Sequence, residues 1–382
     1  MFSSVVLHKV NKYLASALML LFFISEAYGK YSIRYLGDKS DIAKWIKLAI
    51  MVAAFSLCLK YWKSLKMFVA LAVIFLIGQW TISNGFQQEI VVSFGKFLFP
   101  LVLFLYFSKN PLNTEDYKWF FKTFEILILI NSALITIGFL FDIDLFRTYR
   151  YGNRFGHSGL MIVSATATYV YSIGCFYFLL QLKDRFLTHW KSLFFIFSML
   201  LLGTKSVYLC LFVSLIVYVF FYLKISKKTK TILLATGSLL AIVAFYIFFF
   251  QWGLFNEIRQ SEGFLTSFLS ARDKVFIERT LPFIQQEWSW FNYLTGGIND
   301  LETRSQMGII DVFYFWGIVG GLLYLYMYYK SFATFKINKS ISILMITLFT
   351  IVFLAGNFFE NASVAIYMLL LREKLISQQT IK

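Results

Sequence analysis

Long apolar runs recur along the whole chain, and they limit the folds that it can adopt. Many of them are long enough to cross about 30 Å of hydrocarbon as a helix. Hydrophobic residues make up 59% of the 382 residues, more than the interior of a soluble domain of this size can hide. The runs are continuous and do not alternate, which argues against a membrane barrel. We therefore predict an all-α, polytopic transmembrane protein that forms one integral membrane domain over 1–382.

The apolar runs divide into twelve predicted spans, of which the seventh and the last are short. We expect the first to be a retained signal anchor, because a cleaved signal peptide is less common in a chain with many spans. The predicted spans lie at 13–28, 42–59, 65–82, 90–108, 119–141, 159–181, 191–203, 206–223, 231–250, 308–329, 340–356 and 360–372.

Lysine-rich connections predict the orientation of the spans. The connections at 60–66, 183–191, 224–230 and 330–339 are short and rich in lysine, and the positive-inside rule places them in the cytoplasm. The alternate loops then face outward. The longest outer loop, 251–307, lies between spans nine and ten, and we call it the cap segment because we expect it to form a helical cover.

The arginines run against this rule. Of ten arginines, eight fall on the predicted outer side, whereas 19 of 26 lysines fall on the inner side. The planar guanidinium donates several hydrogen bonds at once to a phosphate or carboxylate. The distribution therefore predicts an anionic ligand at the outer surface, with contacts to lipid headgroups or to nearby acidic side chains as the simpler alternative.

Three of the outward arginines lie in the loop "RTYRYGNRFGHSG", residues 147–159. Arg147, Arg150 and Arg154 alternate there with glycines, which let a backbone approach a ligand closely. We predict that Arg154 binds the anion directly. Arg147 and Arg150 follow acidic residues, and we predict that they mainly guide the anion inward. His157, beside them, is a candidate catalytic group.

Four further motifs carry ionisable residues at breaks in apolar runs. In "LLGTKSVYL", Lys205 follows a glycine break, and irregular backbone at membrane depth is tolerated where it lines a cavity. The cap segment contains "SARDKVFIERT", in which the seven-residue spacing of Arg272 and Arg279 predicts one shared helix face. "LETRSQMGIIDVFYFWGIVGG" supplies Glu302 and Asp311, and "AGNFFENAS", at 355–363, is a further polar break.

Other site chemistries lack their motifs. Cys58, Cys175 and Cys210 each lie in an apolar run, where cysteine usually acts as a small buried hydrophobe. The sequence has no CxxC, no HExxH and no GxxxxGKS loop. We therefore expect no metal, no cofactor and no nucleic-acid partner.

The order of these motifs from about 147 to 372 resembles the O-antigen polymerase and O-antigen ligase superfamily of bacterial glycan-assembly proteins. The resemblance implies a glycosyltransferase of the bacterial inner membrane, acting at its periplasmic face on undecaprenyl-pyrophosphate-linked oligosaccharides, with a chain-length regulator as a possible protein partner. It implies that arginines hold the pyrophosphate, with Arg154 and Arg272 as the best matches and Arg147, Arg150, Lys205 and Arg279 as helpers. Where family members often carry a histidine or acidic residues, this chain has Gln306 and Gly308, so His157, Glu302 and Asp311 stay open as the general base.

The resemblance leaves two activities open. A polymerase transfers the glycan to another lipid-linked repeat unit, whereas a ligase transfers it to the lipid A core. From a different class, a flippase for the same lipid needs a charged path reachable from both faces, and the arginines are predicted on one face only. We expect the polymerase.

Overall fold

The computed structural model describes residues 4–37, 41–149, 154–251 and 253–380. Throughout these ranges the regular elements are helices, and the paired backbone is limited to an isolated bridge between Arg147 and His157. The helices are α1 (Ser4–Tyr31), α2 (Asp41–Cys58), α3 (Trp62–Trp80), α4 (Gln88–Lys109), α5 (Thr114–Phe141), α6 (Ser164–Leu182), α7 (Trp190–Leu201), α8 (Lys205–Val217), α9 (Lys227–Phe250), α10 (Gly253–Glu262), α11 (Phe264–Leu269), α12 (Arg272–Val275), α13 (Leu281–Glu287), α14 (Trp290–Thr295), α15 (Gly308–Phe332), α16 (Lys339–Leu354) and α17 (Ala362–Thr380).

The all-α fold class is confirmed, and each predicted span overlaps a helix. Six helical segments are long and apolar enough to cross a membrane by length and composition, and they contain α4, α5, α6, α8, α9 and α15. Helices α3, α7 and α16 are apolar over shorter lengths. α6 begins later than the sequence predicted, and α17 extends beyond the predicted end of the last span.

Helix α6 lies at the centre of the bundle. Its residues from Thr166 to Leu180 are buried, and it packs against α8 and α17. A helix that is apolar on every side is stable only when neighbours surround it, or lipid does. α17 is buried to a similar degree and also contacts α1, α4 and α5, so these two helices form the core around which the others are arranged.

Charged residues in α17 fasten that helix to its neighbours at the end of the bundle far from the cap segment. Arg372 and Glu373 are 2% and 1% exposed, and they form an ion pair. Arg372 also donates to the Ser108 hydroxyl at 2.7 Å and to the Ser331 carbonyl at 3.2 Å, while Glu373 accepts from the Tyr117 hydroxyl at 3.1 Å. Buried charges are costly unless they are paired and hydrogen-bonded, and these contacts join α17 to α4, α5 and α15.

Glycines let the cap segment pack closely against the bundle. α15 is broken at Gly317, whose φ is +66°. A Cβ on Gly317 would lie 2.4 Å from the backbone nitrogen of Gly296, and one on Gly78 in α3 would lie 2.6 Å from the Thr295 carbonyl oxygen. The turn that follows α14 is therefore inserted between α3 and α15, where only glycines leave enough room.

We expect Gly317→Ala to lower the stability of the protein by about 1–3 kcal/mol, because it combines an unfavourable φ with overpacking against the cap segment. The measurement is the thermal midpoint of the purified protein. Gly237→Ala in α9 is the matched control, since a Cβ there has nothing within 4 Å and alanine favours the helix. Equal midpoints for the two variants would show that the turn is not tightly inserted.

Candidate functional site

The arginine loop lies against the break between α7 and α8. Its Thr148 N–H donates to the Gly156 carbonyl at 2.8 Å, and its His157 N–H donates to the Leu201 carbonyl at 2.8 Å. Gly156 has a φ of +147°, and a Cβ there would lie 2.4 Å from the Leu202 carbonyl oxygen. The glycines predicted a close backbone approach, and Gly156 makes one to the end of α7. This contact fixes the direction in which the loop leaves the bundle.

The next helix does not begin at Gly159, where the sequence placed it. Gly159 has a φ of +61°, and its carbonyl accepts from the Lys30 ammonium at 2.6 Å. The Asn131 side chain accepts from the Leu160 N–H at 2.8 Å. These contacts hold residues 159–163 in a turn, so α6 begins at Ser164 and its N-terminus does not directly follow the arginines.

The Arg154 guanidinium packs against two aromatic rings. The guanidinium carbon lies 3.9 Å from the centre of the Tyr149 ring and 5.2 Å from that of Phe255 in α10. Its Nε is buried, and it has no hydrogen-bond partner in the part of the chain that the structure describes. Burial lowers the pKa of Arg154, but an arginine stays charged at neutral pH. Arg154 therefore keeps its donors available for a ligand.

Lys205 lies at the first turn of α8 and connects the bundle to the cap segment. Its ammonium donates to the carbonyls of Ser267 and Phe268 at 2.7 and 2.9 Å. It also lies 4.0 Å from the centre of the Phe255 ring, the ring that Arg154 approaches. The ammonium is thus held on neutral oxygens and an aromatic face, and its positive charge is not cancelled there.

Arg272 stabilises the end of α16. Its guanidinium donates to the Leu354 carbonyl, and it lies 3.4 Å from the Leu269 carbonyl. Its Nε is buried without a partner in the described ranges. Burial lowers the pKa of Arg272, and the charge of Arg154 acts in the same direction. The two arginines are therefore close enough for their charges to repel.

The shared helix face predicted for Arg272 and Arg279 is wrong. A π-helical turn, Phe276–Thr280, follows α12 and changes the register between them. The Arg279 side chain is 57% exposed and lies 3.7 Å from Glu302, which is 81% exposed. An exposed pair of this kind contributes about 0–1 kcal/mol, and it leaves Arg279 outside the group that contains Arg272.

Arg154, Lys205 and Arg272 form what we call the cation cluster. Lys205 lies within electrostatic reach of both arginines, and the ion pairs found among the described residues include none of the three. Like charges that are partly removed from water repel strongly. A multiply charged anion such as a diphosphate would relieve that repulsion and use the free donors.

An acidic residue lies within electrostatic reach of Arg272. Asp311, in the first turn of α15, accepts a hydrogen bond from the Ser305 hydroxyl at 2.8 Å. Its other carboxylate oxygen is buried and accepts none from the residues described. Burial lowers the pKa of Arg272, whereas the Asp311 carboxylate acts in the opposite direction. Of the three predicted catalytic groups, Asp311 is the one whose charge acts on a residue of the cation cluster.

Arg304 of the cap segment and Glu360 form a buried ion pair. The two side chains are 15% and 10% exposed, and the second carboxylate oxygen of Glu360 is buried without a donor in the described structure. Burial alone would lower the pKa of Arg304. The Glu360 carboxylate acts in the opposite direction, and the pKa is raised overall. The sequence showed Glu360 at a polar break, but it did not show that Arg304 of the cap segment would reach it.

His157 and Arg147 have contacts of their own that do not include the cluster. The His157 ring is buried between Phe139 and Phe155, with centroids 5.9 and 6.0 Å away. Its nitrogens lack hydrogen-bond partners within the described residues, and burial lowers its pKa. Arg147 pairs with Asp142 at 2.6 Å, with side chains 42% and 69% exposed. Arg150 lies outside the described residues.

Sequence reasoning missed the aromatic support of the site. Tyr149 lies in the quoted loop, but the sequence does not show that the Arg154 guanidinium would lie over its ring. Phe255 in α10 approaches both Arg154 and Lys205, although it is far from them in sequence. A phenylalanine in an aromatic-rich chain carries no signal of its own, so only the tertiary structure identifies it.

The chain was compared with family models, curated proteins and solved structures, and none of them matches it.

We expect Arg154→Gln to weaken the binding of farnesyl pyrophosphate by at least about tenfold, because one hydrogen bond from a charged donor contributes about 1.5–3 kcal/mol. Arg154 makes no hydrogen bond to the described residues, so the substitution should leave the fold intact. Arg279→Gln is the control, since that side chain is exposed and lies outside the cluster. Titration of the purified proteins gives the dissociation constants, and equal weakening in both variants would contradict the cluster as the anion site.

Proposed function

We propose that this chain is a polysaccharide polymerase that moves a growing glycan from undecaprenyl pyrophosphate to a lipid-linked repeat unit. The observation that carries the proposal is the cation cluster, three basic side chains without a carboxylate partner in the described residues, within electrostatic reach of Asp311, one oxygen of which accepts no hydrogen bond from those residues. Such a site fits an anionic leaving group next to a group that accepts a proton. The order of motifs that resembles the O-antigen polymerase and ligase superfamily supports the same assignment.

In the proposed reaction, a hydroxyl oxygen of the acceptor sugar bonds to the anomeric carbon of the donor glycan. The bond between that carbon and the pyrophosphate oxygen breaks, and its electron pair leaves with the pyrophosphate. Arg154, Lys205 and Arg272 stabilise the charge that develops on the leaving group. Asp311 takes the hydroxyl proton as the general base, and no metal or cofactor takes part.

The topology proposed with this function has about twelve spans in the bacterial inner membrane, with the cap segment on the periplasmic face. Lipid-linked repeat units and a chain-length regulator are the partners that the resemblance suggests. The six long apolar helices are compatible with a membrane location. The lysine-rich connections support the orientation through the positive-inside rule.

Deletion of the gene in its host, followed by electrophoresis of the surface polysaccharide, tests the function. We expect long chains to disappear while a product with one repeat unit remains, and the wild-type gene should restore the ladder. Loss of every glycan-capped product would instead indicate a ligase. An unchanged ladder would overturn both assignments.

We expect Asp311→Asn to reduce chain elongation by about a hundredfold or more, the usual contribution of a general base, because the amide cannot take up the proton. Its affinity for farnesyl pyrophosphate should change far less than in Arg154→Gln. His157→Gln and Glu302→Gln are the comparisons, since His157 is buried against Phe139 and Glu302 is exposed beside Arg279. Normal elongation in Asp311→Asn, or loss in His157→Gln, would move the general base elsewhere.

A further inference from the structure

An open cavity lies at the turn that joins α3 to α4, and it contains none of the residues of the cation cluster. Its volume is about 420 Å³, within the range of about 300–1,000 Å³ that small-ligand sites occupy. The turn faces the cap segment, because the Asn299 side chain donates to the Ser83 carbonyl at 2.9 Å. The side chains that decide its chemistry are those of Trp80, Asn84, Phe86 and Gln87.

The lining of this cavity is uncharged and combines aromatic with amide groups. Trp80 is 83% exposed and Phe86 is 47% exposed, so both rings present a face to a ligand. The side-chain amides of Asn84 and Gln87 make no hydrogen bond to any residue that the structure describes. Each amide offers two donors and one acceptor oxygen. Such a surface matches alternating hydroxyl and C–H groups better than it matches a phosphate or an acyl chain.

The turn is held in place before any ligand arrives. Gly85 packs so closely that a Cβ would lie 2.4 Å from the Gln79 carbonyl oxygen. Asn84 has a φ of +57°, a conformation that asparagine tolerates better than most residues. The Asn292 amide of α14 donates to the Thr81 hydroxyl at 2.7 Å. A fixed surface lowers the entropy cost of binding.

We propose that this cavity binds neutral sugar units of a glycan, with Trp80 packed against a sugar ring and the amides of Asn84 and Gln87 bonded to its hydroxyls. The identification of the ligand as a glycan rests in part on the proposed function. The cavity and the cation cluster both border the cap segment, so one lipid-linked chain would place its charged end at the cluster and a more distant sugar here.

The test is direct binding without turnover. Purified wild-type protein in nanodiscs is applied to an array of neutral oligosaccharides, and the dissociation constant of the strongest binder is measured by titration. We expect Trp80→Ala and the double variant Asn84→Gly, Gln87→Ala each to weaken binding by about tenfold, which corresponds to about 1.4 kcal/mol. Glycine at position 84 preserves the positive φ, so the turn is retained.

Two variants serve as matched controls. Trp290→Ala removes a tryptophan of the cap segment that is 65% exposed and does not line the cavity, and Gln260→Ala removes an exposed amide of α10. Both should bind the oligosaccharide as the wild type does. Equal weakening by the controls, or no binding by the wild type, would overturn the proposal.

Two further outcomes separate this site from its alternatives. If Trp80→Ala alone weakens binding while the double amide variant binds normally, Trp80 is an interfacial anchor and the sugar site is wrong. Arg154→Gln should leave oligosaccharide binding unchanged. A surface polysaccharide that is unaffected by gene deletion would refute the proposed polymerase. Loss of oligosaccharide binding on substitution of the cavity residues would still support the sugar site in that case.

Discussion

Basic side chains that are held together without an ion-pair partner among the described residues are the constraint on which the candidate site depends. Arg154, Lys205 and Arg272 are partly buried, and their supports are aromatic rings and backbone carbonyls. Neutral supports of this kind hold a cation in position but leave most of its charge uncancelled. Such an arrangement costs stability in the absence of a ligand, and it is a common property of sites that bind anions or stabilise developing negative charge.

The bundle brings these cations together through breaks in its helices. The break before α8 places Lys205, the arginine loop crosses that break with Arg154, and the cap segment carries Arg272 to the end of α16. The cap segment also inserts a turn against Gly317 of α15, six residues after Asp311. The cap segment therefore contributes Arg272 to the cluster and also packs against α15, the helix that carries Asp311.

The sequence predicted the helices well, because apolar runs and lysine-rich connections are local signals. It also predicted that Arg154 lies in a loop and Lys205 at a break, and it showed the acidic residues before Arg147, one of which, Asp142, pairs with it. It did not predict the π-helical turn that separates Arg272 from Arg279, nor that Arg304 pairs with Glu360. Those features depend on packing between segments far apart in the chain. His157 shows the same limit, since its burial between phenylalanines has no local signature.

The most direct test of the account follows the lipid product. The protein is reconstituted in liposomes with a radiolabelled undecaprenyl-pyrophosphate-linked repeat unit, and both lipid and glycan products are measured over time. The account predicts one undecaprenyl pyrophosphate released for each glycosidic linkage formed, and neither product from the Arg154→Gln, Arg272→Gln double variant. Linkages formed without release of that lipid, or movement of the intact substrate across the membrane without any linkage, would contradict it.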